Sequence, residues 1–221
     1  IARAAQVTGV DFNYLLAQAR LESSLDPAAR AGTSSAVGLY QFTRGTWLEM
    51  LDKHGPNHGL GWASAAIEGG RIADPALRQQ VLAMRFDPDL SARMAAELAI
   101  ENRAALRPVL GREPDAAELY LAHFLGASGA TRFLSALSAD PGQSAAALLP
   151  DAAAANRAIF YEGGQPRSVS AVMALLRGKV ARAMGEGGLP LAEAMPWAAN
   201  AAPPPPTLAA PTAPQASRPS M

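Results

Sequence analysis

The sequence contains no cysteine. Disulfide bonds and cysteine-ligated metal sites are therefore excluded, although an exported protein need not contain disulfides. The chain has only three histidines, which gives little basis for a metal site. We expect the protein to need neither a metal nor another cofactor.

Aromatic residues make up only 6% of the chain, while hydrophobic residues as a whole make up 49%. Alanine dominates this hydrophobic set, which favours helices over sheets. The 221 residues are enough for one sizeable domain and a tail. We therefore predict an all-α protein.

Neither sign of charge is in excess, because 19 lysines and arginines balance 19 aspartates and glutamates. With no basic block along the chain, we expect no nucleic-acid partner. No apolar run in the sequence is long enough to cross a bilayer, so we expect no transmembrane segment.

The two ends of the chain differ in character. Ile1 already lies in a helix-like segment, so we expect the natural N-terminus, with any export signal, to precede it. From residue 187 onward the chain is rich in proline and alanine, a composition typical of extended or disordered segments. We predict one domain over residues 1–186 and a flexible tail over 187–221, in a monomeric protein.

Glu22 is the first candidate functional residue. The preceding segment shows three- and four-residue spacing typical of an amphipathic helix, with Asp11 as its N-cap. The stripe comprises Phe12, Leu15, Leu16, Ala19 and Glu22. A carboxylate on an apolar stripe is costly to bury, and both burial and a helix C-terminus favour its protonated form, as a general acid requires. The alternative is a glutamate at the rim of the stripe, with its carboxylate in water.

The residues after Glu22 form an ordered pattern. Asp26-Pro27 predicts the end of the helix, a loop of small residues follows, and Thr43 is a candidate N-cap for the next helix. Glu22-Ser23, Pro27 and Gly38-Leu39-Tyr40-Gln41-Phe42 resemble, in order, the catalytic motif of the lytic transglycosylases (SLT domain) and goose-type lysozymes. This resemblance implies a lysozyme-like helical domain.

The segment 54–70 is rich in glycine and predicts no long regular element. Trp62 within it offers a flat ring on which a sugar could stack, or it anchors the loop to the core. His54 and His58 are interpreted as ordinary loop residues.

A long helix is predicted from Asp87-Pro88 to about Leu110. Its predicted apolar face contains Leu90, Met94, Leu98, Ala105 and Val109. Glu101 falls within that face and Glu97 on its edge, so each is a candidate second carboxylate or a surface glutamate. The helical wheel favours Glu101, whereas Met94-Ala95-Ala96-Glu97 resembles a motif of phage and proteobacterial members of the family and favours Glu97.

The next helix is predicted to begin with a capping box of Asp115 and Glu118, and Tyr120 and His123 then share one of its faces. The family's usual Ala-Tyr-Asn-Ala-Gly is absent here. The segment 120–130 is instead similar to a variant in some phage endolysins and alphaproteobacterial relatives. That similarity implies that Tyr120 and His123 face Glu22 across a cleft; the alternative is a core tyrosine and a hydrogen-bonded histidine.

The resemblance also implies an activity. The substrate would be the glycan strand of peptidoglycan, cleaved at the β-1,4 bond between N-acetylmuramic acid and N-acetylglucosamine with Glu22 as general acid and base, giving a 1,6-anhydro sugar. Gln41 would orient the substrate or Glu22. Further candidate substrate contacts are Tyr120, His123, Ser23, Tyr40 and either Ser34 or Ser35. Such an enzyme is periplasmic or bound to the cell envelope.

Two other functions remain open from the sequence. If Glu97 or Glu101 activates water, the enzyme is a muramidase, and an inverting pair requires a carboxyl separation of about 6.5–9.5 Å. A non-catalytic peptidoglycan-binding module is the second alternative, which Glu22 and Gln41 disfavour because binding alone requires no carboxylic acid on an apolar stripe.

Overall fold

The computed structural model describes residues 1–32 and 34–185, and this part of the chain is mainly α-helical. The predicted tail over 187–221 lies outside the described residues. The helices of the described part are α1 (Ala2–Thr8), α2 (Phe12–Ser23), α3 (Arg44–His54), α4 (Gly61–Ser64), α5 (Pro75–Ala83), α6 (Pro88–Leu110), α7 (Ala116–Ala139), α8 (Ala145–Leu148), α9 (Pro150–Ala155), α10 (Arg157–Phe160) and α11 (Val169–Ala183). Short 3-10 turns cover Gly55–His58 and Met84–Phe86.

The helix starts predicted at Asp11 and Thr43 are confirmed by their caps, and Asp74 and Ser168 cap two further helices. The side chains of Asp11, Thr43, Asp74 and Ser168 each accept a hydrogen bond from a backbone N–H in the first turn of α2, α3, α5 and α11. These bonds satisfy donors that the helix itself leaves unpaired. At α7 the predicted capping box is complete, since Asp115 and Glu118 each bond the other's backbone N–H.

The centre of the fold is the pair α6 and α7, with α1 and α3 against α6, and α11 against α7 and α2. The predicted apolar face of α6 is partly wrong, because Val109 is 39% exposed. The buried face instead includes Ala92, Ala95, Ala96, Ala99 and Leu106. Small side chains at these positions let the neighbouring helices approach closely.

Helix α2 differs from its prediction in two ways. Phe12, expected on the buried stripe, is 42% exposed, while Tyr14 and Gln18 are buried. The helix also ends at Ser23, before Asp26-Pro27, because Ser24 and Leu25 both adopt left-handed backbone angles. Leu25 N–H still bonds back to the carbonyl of Ala19, which closes the last turn.

The later part of the chain contains features that the sequence did not predict. α7 continues past Gly126, which is its one non-helical residue with φ 72° and ψ 161°, so that two helical segments abut there without a loop. A two-stranded antiparallel hairpin pairs Tyr161–Glu162 with Gln165–Pro166. In the described part of the chain, no helix combines the length and hydrophobicity needed to span a bilayer.

Candidate active site

Glu22 is 6% exposed and lies at the C-terminal end of α2. The alternative of a rim glutamate with its carboxylate in water is therefore excluded. A buried carboxyl group requires hydrogen-bonding partners, because desolvation without them is costly.

Those partners come from α7. The hydroxyl of Tyr120 donates to Oε1 of Glu22 at 3.1 Å, and Nε2 of His123 lies 3.4 Å from the same oxygen. Tyr120 and His123 are one helical turn apart, so α7 presents both from one face. The structure thus brings together three side chains far apart in sequence, and both of these contacts fall on Oε1 rather than Oε2.

The tyrosines around Glu22 remain hydrogen-bond donors over a wide pH range. Burial raises the pKa of Tyr120 well above its usual value, and the negative charge of Glu22 and the hydrogen bond to it raise it further. Burial likewise raises the pKa of Tyr14, again with a contribution from the charge of Glu22. Protonated phenols are the expected state beside a buried carboxyl group.

The sequence argument missed Tyr14 and Gln18. Both are on α2 and buried, and Oε1 of Gln18 has no hydrogen-bond partner within the described structure. Tyr14, Gln18 and Glu22 are spaced by four residues, so they lie along one face of the helix. That spacing of polar groups was the available signal, but the hydrophobic pattern drew attention to the neighbouring stripe instead.

The segment after α2 supports Glu22 rather than contacting it. The hydroxyl of Ser23 lies 2.8 Å from the carbonyl oxygen of Leu39 and 3.1 Å from that of Ala19, so it ties the end of α2 to this segment. Ser23 is 5% exposed and serves the fold, in contrast to the substrate contact expected from the sequence.

Gln41 and Tyr40 also serve the segment and the core. The side-chain amide of Gln41 donates to the carbonyls of Gly38 and Ala29, at 2.9 and 3.4 Å, so the structure directs this amide to the loop rather than to Glu22. Tyr40 is fully buried and its hydroxyl donates to the carbonyl of Leu15. Tyr40 is therefore a core residue and not a substrate contact.

Gly38 is fixed in place by a close approach. Its φ is +79°, and a Cβ at this position would overlap the carbonyl oxygen of Arg85. The guanidinium group of Arg85 in turn donates to the carbonyls of Ser35 and Phe42. The Ser35 hydroxyl accepts a bond from the backbone N–H of Arg44, while the Ser34 hydroxyl accepts one from Ala36.

Glu97 and Glu101 contact other side chains, in a group that we call the histidine–glutamate cluster (Lys53, His54, His58, Glu97 and Glu101). Nε2 of His58 lies 2.8 Å from Glu97, and His54 bridges the two glutamates, with Nε2 2.7 Å from Glu101 and Nδ1 3.4 Å from Glu97. Lys53 lies 3.5 Å from Glu101. The interpretation of His54 and His58 as ordinary loop residues is wrong.

Trp62 lies in the short helix α4 and is 46% exposed. This exposure disfavours the interpretation of Trp62 as an anchor to the core. Its ring is open to solvent, and sugar stacking remains a prediction.

Within residues 1–32 and 34–185, no group of three or more histidine, aspartate or glutamate side chains is arranged to hold a metal ion. No protein-family model matches the chain.

The contacts described above define the candidate site. It consists of Glu22, Tyr120 and His123, with Tyr14 and Gln18 beside them.

Proposed function

We propose that this protein is a peptidoglycan lytic transglycosylase with a lysozyme-like fold. The observation that carries the proposal is the buried Glu22, whose Oε1 lies against Tyr120 and His123. A carboxyl group oriented through one oxygen has its second oxygen available for proton transfer to a bound substrate. General acid catalysis requires this kind of positioning.

In the proposed reaction, Oε2 of Glu22 donates its proton to the glycosidic oxygen between N-acetylmuramic acid and N-acetylglucosamine. The acetamido oxygen of the muramyl residue attacks C1 as the C1–O bond breaks, which gives an oxazolinium intermediate. Glu22, now a carboxylate, accepts the proton of the C6 hydroxyl. The C6 oxygen attacks C1, the acetamido group is restored, and the product is a 1,6-anhydro sugar.

Tyr120 and His123 support both halves of this cycle. The Tyr120 hydroxyl donates to Oε1 and His123 lies against the same oxygen, so both hold the carboxylate that forms after the first proton transfer. A permanent cation such as arginine would favour the carboxylate throughout and weaken the acid. The two side chains act here as positioning residues for Glu22.

The histidine–glutamate cluster favours this reaction over hydrolysis. Most glycosidases use two carboxylates across the scissile bond. Glu97 and Glu101 are the candidates for a second one, and both are bound to histidines of the cluster. A mechanism in which the substrate supplies the nucleophile needs only Glu22. Such an enzyme acts on glycan strands in the cell envelope, where we propose that this protein works.

Mass spectrometry of the fragments released from purified sacculi tests the proposal. The wild type should release 1,6-anhydromuramyl products and Glu22→Gln should release none, whereas Glu49→Gln, which changes an exposed glutamate of α3, should behave as the wild type. Reducing-end muramyl products would make the enzyme a muramidase. Binding of sacculi by wild type and Glu22→Gln without any release would instead identify a binding module.

A further inference from the structure

A second site is suggested by an arginine-rich cavity next to Arg85, whose guanidinium group donates to carbonyls of the 34–42 segment. The cavity measures about 750 Å³ and lies between α5, the start of α3 and the residues that follow α2. Four arginines contribute to its lining, namely Arg30, Arg44, Arg78 and Arg85. We call it the arginine cavity.

The positive charge of the arginine cavity is not neutralised by the protein that surrounds it. No aspartate or glutamate lines the cavity, and within residues 1–32 and 34–185 none of the four arginines forms an ion pair with a carboxylate. Burial lowers the pKa of Arg85, and the nearby charges of Arg44 and Arg30 lower it further. Like charges gathered around one space favour an anionic ligand.

The four arginines divide into fixed and available groups. Arg85 is 6% exposed, and its three hydrogen bonds go to backbone carbonyls. It therefore has a structural role in the wall of the cavity. Arg30 stacks on the ring of Phe86. Arg44 and Arg78 are exposed and also border a second cavity, which contains Glu68 and Asp74. Asp74 is occupied as the N-cap of α5.

The remaining wall is apolar. Pro75, Leu82, Ala83 and Phe86 complete the lining, together with Gln79. The volume exceeds what a single inorganic anion fills and lies in the range of cavities that bind small organic ligands. The ligand that fits therefore combines carboxylates, which guanidinium groups bind through paired N–H donors, with small apolar side chains.

We propose that the arginine cavity binds the peptide stems attached to the glycan strand, through their free carboxylates and alanine methyl groups. The inference rests on the proposed function, since it takes peptidoglycan as the substrate. The 34–42 segment joins the two sites. The Arg85 guanidinium group donates to the Ser35 carbonyl and the Arg44 backbone N–H donates to the Ser35 hydroxyl, while the Leu39 carbonyl accepts from Ser23 beside Glu22. The proposal places the stems of a strand held at Glu22 in this cavity.

The test compares two double variants with equal changes in net charge. Arg44→Gln/Arg78→Gln removes the two exposed cavity arginines, and Arg3→Gln/Arg132→Gln removes two exposed arginines of α1 and α7 outside the cavity. Each is made in the Glu22→Gln background, so that the glycan is not degraded. Binding is measured by co-sedimentation with intact sacculi and with sacculi whose stem peptides were removed by an amidase.

The cavity variant should bind intact sacculi at least about tenfold more weakly, because two charge-assisted contacts are lost. It should bind peptide-free glycan as the parent does, and the control variant should match the parent on both. Equal losses in both double variants, or equal binding of both substrates by the parent, would overturn the proposal.

Inorganic phosphate is the second probe, measured by calorimetry with the parent protein. Phosphate binding that depends on Arg44 and Arg78, without any preference for intact sacculi, would assign the cavity to a free oxyanion and overturn the peptide assignment. Release of fragments by the enzyme with an intact Glu22 is measured separately. No release would contradict the proposed function, while the binding comparison still reports on the arginine cavity.

Discussion

The molecule holds glutamates in two different ways. Glu22 is buried against a phenol and an imidazole, at 3.1 and 3.4 Å. Glu97 and Glu101 are less buried and lie in the histidine–glutamate cluster, where two histidines and a lysine surround them. The first arrangement orients one carboxyl group through a single oxygen, and the second joins α3 and the following turn to α6 through two histidines and a lysine.

This difference separates a candidate catalytic acid from structural ion pairs. An acid must be able to change its protonation state during the reaction, which strong ion pairing opposes. A carboxylate that joins two elements should instead keep its charge, and its partners lose hydrogen bonds if it is removed. The same substitution should therefore have opposite consequences in the two regions.

The largest expected effect comes from Glu-to-Gln substitution in each region. Glu22→Gln should lower the rate of glycan cleavage about a thousandfold, because the proton donor is lost. Its free energy of unfolding should change little, since the amide oxygen can still accept from Tyr120. Glu97→Gln should do the reverse. It should lower the free energy of unfolding by about 1–3 kcal/mol. Its cleavage rate should stay within about tenfold of the wild-type rate, a factor that corresponds to the energy of roughly one hydrogen bond.

Cleavage kinetics and urea denaturation of both variants test this pair. A thousandfold rate loss in Glu97→Gln, with unchanged stability, would make Glu97 a catalytic partner. The two regions would then belong to one active site, and hydrolysis would become the favoured reaction.

The second prediction concerns Gly38, in the segment that is bonded to the end of α2 beside Glu22. Gly38→Ala should destabilise the protein by about 3 kcal/mol, because a left-handed alanine is strained and its Cβ overlaps the carbonyl of Arg85. Gly9→Ala is the matched control, since Gly9 has a similar φ of +74° with open space around its Cβ position. It should cost about 1–2 kcal/mol from backbone strain alone. Urea denaturation of both variants measures the difference in unfolding free energy. Equal losses would mean that the 34–42 segment shifts to accommodate the new Cβ at no cost in stability.

Much of this organisation could be predicted from local sequence. The caps at Asp11 and Thr43 depend on residues three positions apart, so short-range chemistry identified them. The bonds between His54 and Glu101 and between His58 and Glu97 join α3 and its following turn to α6. No local pattern specifies such a contact, because it depends on how the helices pack.

The site shows the same division between local and long-range information. Glu22, Tyr120 and His123 could be proposed from their motifs and helix positions. The burial of Tyr14 and Gln18 depends on the rotation of α2 against its neighbours, with Phe12 left exposed. An amphipathic pattern predicts a helix better than it predicts which side of a largely buried helix faces a site.

The third prediction concerns the alkaline pH dependence of the unfolding free energy, which should come from buried tyrosines and not from the histidine–glutamate cluster. Burial raises the pKa of Tyr14, Tyr40 and Tyr120. Tyrosines of the unfolded chain ionise near pH 10 while the folded protein retains these protons. The free energy of unfolding should therefore be insensitive to them below pH 10 and fall above it, by about 1.4 kcal/mol per pH unit for each tyrosine.

Tyr14→Phe should reduce that alkaline slope by about 1.4 kcal/mol per pH unit. Glu97→Gln should leave the slope unchanged, because no tyrosine belongs to the histidine–glutamate cluster. Urea denaturation at a series of pH values from 8 to 11 gives the slopes. An unchanged slope in Tyr14→Phe would mean that this phenol ionises in the folded protein as readily as in the unfolded one.

The smallest expected effect compares an exposed and a largely buried member of the histidine–glutamate cluster. The side chain of Lys53 is 48% exposed, with Nζ 2.9 Å from Glu49 and 3.5 Å from Glu101. Exposed ion pairs contribute little because water and salt screen them, so Lys53→Gln should cost no more than about 0.5 kcal/mol at low salt and less at high salt. His54→Gln should cost more, since His54 is largely buried and contacts both glutamates. Equal costs for the two variants would contradict this ranking and mean that the two glutamate contacts of His54 add no more stability than an exposed ion pair.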